Sequence, residues 1–319
     1  MRVAIVLPIF NDWVSFGLLL KNLGEQQFAR HYRISVRAID DGSSDAQVAC
    51  DFSGRLGMIE ELKIIRLGSN LGHQRSIAVG LVDAFKSSTF DAVVVMDSDG
   101  EDRPSDVERL IKHYNEHPTS IIVAKRKRRS EPLLFRCFYV LYKVLFRALT
   151  GQAINFGNFC LIPKNALRSL VHNPAAWNNL AAAIQRSGLA RSDILVERGF
   201  RLSGVSRMNL VSLTLHGISA ISVYADIVFV RIVTIAMFIG IIVFLGIAAI
   251  AYIRLATEWA IPGWASYMTG LLSIILSQSL LMAGLALLQH VSLRSLKPFV
   301  PLADAATFVV DESSETGKR

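Results

Sequence analysis

The sequence predicts an α/β fold: a mostly parallel sheet with helices on both faces, followed by an interfacial helix and a C-terminal two-helix transmembrane hairpin. Three observations carry this expectation. Strand-like and helix-like patterns alternate over residues 1 to about 125, as successive βαβ units do. Each strand-like run closes on a polar cluster, and ligands of such sheets bind beyond the carboxyl ends of strands. Two late stretches, Ile232 to Ile253 and Trp264 to Leu288, hold no Asp, Glu, Lys or Arg over 22 and 25 positions.

Arg2 to Phe10 reads as the first strand, ending at Pro8-Ile9-Phe10-Asn11-Asp12, with a helix through Leu23. Ile34 to Ile39 is the second, closed by Asp40-Asp41-Gly42-Ser43-Ser44-Asp45, where Gly42 permits a tight turn and Ser44 or Asp45 can cap a helix. Leu62 to Leu67 is the third, followed by Gly68-Ser69-Asn70-Leu71-Gly72 and a helix from His73 to Lys86. Asp91 to Met96 is a fully buried fourth strand, and after a helix from Pro104 to Asn115 comes a fifth, Ile121 to Ala124. Residues 126 to 207 are less regular and rich in Arg and aromatics. Asn209, Ser212, His216, Ser219, Ser222 and Asp226 then recur every three or four residues between Leu, Ile and Val. That reads as a helix in the membrane interface plane, with an ordinary domain helix as the alternative.

Each charge-free run exceeds the ~20 residues that cross a ~30 Å hydrocarbon core; buried core helices are the rival reading. The expected divisions are a domain at 1–208, the juxtamembrane helix at 209–226, spans at 227–254 and 264–289, and a tail at 290–319. The end of that tail, Asp311 to Arg319, is polar enough to be disordered. Arg198, Arg201, Arg207, Arg231, Arg294, Lys297, Lys318 and Arg319 flank the spans, whereas the short link Arg254–Gly263 carries one Arg and one Glu. The positive-inside rule therefore puts both termini in the cytoplasm, with Trp259, Trp264 and Tyr267 in an outer aromatic belt.

The start of the chain does not read as a signal peptide, because Pro8, Asn11 and Asp12 interrupt the apolar run. Cys50, Cys137 and Cys160 have no paired spacing, which argues against a disulfide framework or a zinc site. A net charge of +8 suits anionic lipid or phosphate partners. There is no G-x-G-x-x-G after the first strand and no G-x-x-x-x-G-K-[ST], which argues against a dinucleotide dehydrogenase or a P-loop enzyme. The basic run Lys125–Arg129 fits attraction to anionic lipid better than nucleic acid, for which no motif is visible.

The densest chemical signal is Met96-Asp97-Ser98-Asp99-Gly100-Glu101-Asp102, four acids within six positions directly after a buried strand. Such charges repel one another unless a cation sits among them. All-oxygen ligands favour Mg²⁺ or Mn²⁺, and such an ion usually holds a phosphorylated substrate.

Together, Leu7-Pro8-Ile9-Phe10-Asn11-Asp12, Asp40 to Asp45, Asn70-Leu71-Gly72, Asp97 to Pro104 and the later Arg-rich segment resemble the family 2 glycosyltransferases, which have the GT-A (Rossmann-like) fold. The likeness is to the polyprenyl-phosphate glycosyltransferases, of dolichyl-phosphate mannose synthase type. It covers about residues 3 to 210 and, in architecture, the two spans. The resemblance implies nucleotide contacts at Pro8, Asp12, Asp40, Asp41, Asp97 and Ser98. It implies a divalent ion on Asp97 and Asp99, with Glu101 either a third ligand or simply solvated. Arg126 and Arg136 match phosphate-clamping arginines, and Arg201 and Arg207 match a basic pair near the acceptor phosphate.

The chain departs from that pattern at Gly157-Asn158-Phe159-Cys160-Leu161, where relatives often carry Asp-Phe-Arg-Leu. Asn158 cannot act as a base. A lipid phosphate acceptor needs none, since its second pKa of ~6 leaves it ionised. A sugar hydroxyl would need one, from Asp102 or His73. The expectation is therefore an inverting enzyme that moves a sugar from a nucleotide-diphosphate donor to a polyprenyl phosphate on the cytoplasmic leaflet of the inner membrane. Its partners are the donor, the lipid phosphate and anionic lipids, with a homo-oligomer left open. The alternatives are transfer to a glycan or lipid-linked saccharide hydroxyl, and a catalytically silent nucleotide-sugar-binding scaffold.

Overall fold

The computed structural model describes residues 1–44, 52–126, 133–153, 155–204, 210–259 and 261–317. The chain forms two compact units. One comprises Met1–Leu141, Ala153–Val223 and Pro298–Arg319; the other comprises Tyr142–Gln152 and Tyr224–Lys297.

The first unit begins with β1 (Arg2–Ile9), α1 (Trp13–Gly24), a single turn α2 (Phe28–His31), β2 (Arg33–Asp40), β3 (Glu61–Leu67), α3 (His73–Ser87), β4 (Ala92–Val95), α4 (Pro104–Glu116) and β5 (Ile121–Arg126). After α5 (Leu133–Thr150) come β6 (Cys160–Pro163), α6 (Lys164–Val171), α7 (Ala175–Asn178), α8 (Leu180–Ser187), β7 (Arg191–Val196) and α9 (Leu210–Ser222). The long helices α10 (Ala225–Ala256) and α11 (Trp264–Ser295) belong to the second unit, and α12 (Pro301–Asp304) and β8 (Val309–Thr316) return to the first.

The strands form one sheet in the order β7-β5-β6-β4-β1-β2-β3-β8. β1 pairs in parallel with β2 and β4, β2 with β3, and β5 with β7. β6 runs antiparallel between β4 and β5, and β8 runs antiparallel along β3. Every residue of β1 after Arg2 is buried, because helices cover both faces of the parallel core. On one face Ile5, Leu7 and Ile9 join Phe16, Leu19 and Leu20 of α1. On the other, Ala4 and Val6 join Ile77 and Leu81 of α3. Gly80 lets α3 approach β1 closely, since a Cβ there would lie 2.4 Å from Val6 Cγ1.

Three expectations are corrected. The segment from 126 to 207 is more regular than its composition suggests and supplies β6 and β7. β5 runs on to Arg126, so Lys125 and Arg126 end a strand; Lys125 pairs with Asp193 and Arg126 with Asp102. Residues 127–129 of that basic run lie outside the described residues. The polar tail is not disordered over its described length. Val309–Thr316 pairs with β3, and Lys63 of β3 meets Glu312 at 2.8 Å. An edge strand needs no apolar face of its own, so hydropathy does not reveal it.

In α9, Ser219 turns inward and its hydroxyl donates to the Asn178 carbonyl, while Leu215 and Ile218 are exposed. Leu215 and Ile218 therefore face outward, while Ala220 is buried. In the second unit, α10 and α11 pack together: Ser279 Oγ donates to the Ala236 carbonyl at 2.8 Å, and the Phe229 and His290 rings stack at 4.3 Å. Both helices are long and apolar enough to cross a membrane, and almost none of their residues is buried. That surface suggests membrane association, since water would penalise so much uncovered apolar area.

Candidate active site

The carboxyl edge of the sheet gathers the ends of β1, β2, β3, β4 and β5. At the β1 end, Asn11 takes φ 50°, and its Oδ1 accepts from Ser44 N at 2.9 Å while its own N–H donates to Ser43 Oγ at 2.8 Å. This ties the first two strand ends together. Pro8 is buried within β1, opposite Ile39.

The two β2 acids have separate partners. Asp40 is fully buried; its Oδ1 accepts from Ser43 N at 2.9 Å and its Oδ2 from Arg66 Nε at 3.2 Å. Arg66 is the parallel neighbour of Asp40 on β3. Asp41 accepts from Leu71 N at 2.7 Å and Gly72 N at 3.0 Å, which holds the Asn70-Leu71-Gly72 turn against β2. Burial raises the Asp41 pKa, opposed by those backbone donors.

After β4 the loop coils on itself. Asp102 is buried, accepting from Asp97 N at 3.0 Å and from Arg126 at 2.9 Å. Burial and then the charge of Asp97 push its pKa up to about 7, against the pull of Arg126. Asp97 meets His73 Nε2 at 3.3 Å and Arg126 at 4.0 Å. Burial lowers the His73 pKa, but the hydrogen bond and charge of Asp97 outweigh it and leave the imidazole above its ordinary value. Asp99 accepts from Glu101 N at 2.9 Å, and burial together with Asp97 and Glu101 raises its pKa. Ser98 is buried.

A second segment, residues 197–203, lies along this loop. Gly199 N donates to the Glu101 carbonyl at 2.7 Å and Leu202 N to the Asp99 carbonyl at 2.9 Å. Arg201 bridges Asp99, at 3.1 Å, and Asp12, and Arg198 pairs with Glu101. Glu101 is thus bound to a guanidinium, not simply solvated. Arg201 thus joins the acids at the β1 and β4 ends.

Asn158 is half-buried just before β6. Cys160 lies opposite Val95; extending that antiparallel register by two residues sets Asn158 level with Asp97. Cys160 is a fully buried sheet residue whose thiol pKa is raised by burial. The Arg136 side chain and Arg207 lie outside the described residues. Sequence reasoning did not single out Arg66 and Arg198 as site residues. Both pair with acids that are distant in sequence, a relation visible only once strands are in register.

Seven acids (Asp12, Asp40, Asp41, Asp97, Asp99, Glu101, Asp102) thus share four arginines (Arg66, Arg126, Arg198, Arg201) along this edge. The surplus of carboxylate and the oxygen-only donors of the 97–101 loop suit a hard divalent ion in kind, although Asp97, Asp99 and Glu101 each face a different cationic side chain and are not gathered around one point.

The family model described as "Glycosyl transferase family 2" matches residues 4–171, from β1 to the end of α6. Dodecaprenyl-phosphate galacturonate synthase of Rhizobium johnstonii is 27% identical over 138 residues, 43% of this chain and 39% of that relative's length. Bactoprenol glucosyl transferase of Shigella phage SfX is 23% identical over 232 residues, 70% of this chain and 73% of the relative. Among solved structures, glucosyl-3-phosphoglycerate synthase from Mycobacterium tuberculosis with Mn²⁺ and UDP aligns at 14% identity and a TM-score of 0.47, covering 71% of this chain and 79% of that one. The family match takes in more than half of the chain and contains all five strand ends that build the acidic edge. The chain belongs to glycosyl transferase family 2.

Proposed function

We propose that this chain transfers a sugar, with inversion, from a nucleotide-diphosphate sugar to a polyprenyl phosphate at the cytoplasmic face of the inner membrane, with both termini in the cytoplasm. The observation that carries this reading is the acidic carboxyl edge of a family 2 domain in a chain with two exposed, apolar helices of membrane-crossing length. Two relatives support it by name, one acting with dodecaprenyl phosphate and one with bactoprenol. The outward Leu215 and Ile218 of α9 suit a helix lying in the membrane interface.

In this reading Pro8, Asp12, Asp40 and Asp41 shape the nucleotide pocket, with Asp41 acting through the Leu71–Gly72 turn. Asp97 and Asp99, with Glu101, would hold Mg²⁺ or Mn²⁺, which when bound stabilises charge on the departing diphosphate. Arg201 orients the donor side through Asp12 and Asp99, and Arg126, Arg136 and Arg207 supply cations for the donor and acceptor phosphates. Asp102 already accepts from Arg126 and from Asp97 N, and Asn158 has no basic oxygen. The raised pKa of Asp102 suits a base, but its burial and its two donors keep it from a sugar hydroxyl. An acceptor that arrives ionised, as a lipid phosphate does, suits these residues better.

The test incubates the purified chain with labelled UDP-, GDP- and dTDP-sugars and either polyprenyl phosphate or a lipid-linked saccharide. Label should enter the polyprenyl phosphate, and Asp99→Ala or EDTA should abolish transfer. Label entering only the lipid-linked saccharide would establish the hydroxyl reading instead. Donor binding without transfer to either acceptor would leave the scaffold reading. Undiminished turnover of Asp99→Ala in EDTA would remove the metal role.

A further inference from the structure

Far from the acidic edge, α4 ends on His113 and Glu116, which share a face at i and i+3, and on its C-cap His117, whose φ of −132° and ψ of 66° leave the helix. Here their ligand atoms all lie within 4.8 Å of one another, and among the described residues this is the one group of three His, Cys, Asp or Glu side chains so assembled. The His113 and His117 rings have centroids 4.7 Å apart, and His113 Nδ1 lies 3.4 Å from Glu116 Oε2. The other nitrogen of His113, Nε2, sits 2.7 Å from Ser192 Oγ on β7.

That last contact matters most. An imidazole that binds a metal through one nitrogen commonly fixes its ring through a hydrogen bond at the other. In the tautomer whose Nε2–H donates to Ser192, the Nδ1 lone pair faces Glu116, and that is the form an ion would select over the one with Nδ1–H donating to Glu116. The turn also ends the helix, where the carbonyl end of the dipole favours a cation. Glu116 and His117 are exposed, so an ion has open access.

We propose that His113, Glu116 and His117 form a second metal site, selective for Zn²⁺ or a similar borderline transition ion and held in place by Ser192. Two imidazoles and one carboxylate suit such ions, whereas the oxygen-only acids at the far end suit Mg²⁺ or Mn²⁺. α4 separates the two sites by about 18 Å at 1.5 Å per residue. The bound ion joins the end of α4, through His113 and Ser192, to the start of β7 and so stabilises that edge of the sheet.

The experiment uses the full chain in detergent, without a histidine tag, titrated with Zn²⁺ against a chromophoric chelator and with Co²⁺ read by its visible absorption. One equivalent should bind, with a rise in Tm, and should persist in Asp97→Asn/Asp99→Asn. His117→Gln, an exposed substitution that leaves the fold alone, should weaken binding at least tenfold. Ser192→Ala, which keeps all three ligands, should weaken it ten- to a hundredfold. Unchanged affinity in His117→Gln, or loss of binding with the Asp97/Asp99 variant alone, would overturn the proposal.

Discussion

Gly100 is the residue at which the 97–102 loop and the 197–203 segment close on each other, and Gly100→Ala tests that closure directly. Its φ is 88°, and an added Cβ would lie 2.5 Å from Leu202 Cγ and 2.8 Å from Leu202 Cδ1. The left-handed backbone costs an L side chain about 1–2 kcal/mol. Forcing a methyl into Leu202 adds about 1–3 kcal/mol of overpacking. The sum, about 2–5 kcal/mol, corresponds to a Tm loss on the order of 10 °C for a domain of this size. The damage should also reach the chemistry, because Leu202 N donates to the Asp99 carbonyl and the adjoining Arg201 pairs with Asp99. Thermal unfolding in detergent gives the stability, and a nucleotide-sugar titration gives the effect on donor affinity. Repeating the substitution in a Leu202→Ala background separates the causes, leaving only the backbone share of about 1–2 kcal/mol. A Gly100→Ala chain as stable as wild type would refute the argument; an equal loss in both backgrounds would refute the steric half.

Arg66→Ala should remove the counter-charge of the fully buried Asp40 and leave it only its Ser43 N–H donor, costing about 3 kcal/mol in denaturant unfolding and weakening donor binding, whereas Arg66→Lys should recover part of each. Asp102 gives a pH signature. A carboxyl raised from 3.8 to about 7 keeps its proton in the folded state while the unfolded chain has lost it, so stability falls as pH rises from about 4 through 7 and then levels. The ceiling on that fall is about 4 kcal/mol, and Asp102→Asn should flatten the slope of Tm between pH 5 and 8; an unchanged slope would assign the titration elsewhere. Removing residues 309–317 should expose the β3 edge, lowering Tm and broadening the size-exclusion peak; a monodisperse product of wild-type Tm would show that β8 adds no stability.

The parts of the site that were legible in the sequence follow one rule. Asp12, Asp40, Asp41 and Asp97 to Asp102 each come directly after a run apolar enough to be a buried strand, and a parallel sheet delivers such ends to one edge. What the sequence hides is who pairs with whom. Arg66 meets Asp40 through parallel register, and Arg201 meets Asp12 across 189 positions. Cys160 stands where relatives often carry Arg, yet β6 places it in the core of the sheet. Nothing local distinguishes an edge strand such as β8 from a polar tail, since its partner is β3 and its apolar content is low.

The pairing of β3 with β8 has a consequence for synthesis. Leu62 and Glu315 are hydrogen-bonded neighbours, yet α10 and α11 are made between them. The ribosome therefore presents every other strand of the sheet before its last edge can form. Until then the outer rim of β3 stands bare, and Lys63 lacks one of its two carboxylate partners. Contacts of such long sequence separation form late. Closure of this edge must therefore wait until both apolar helices have been delivered, which makes completion of the sheet a sign that the preceding helices have been made. A nascent chain stalled before Val309 should carry a folded α/β core with one unprotected edge, a form in which pairing with a neighbouring chain is most favourable.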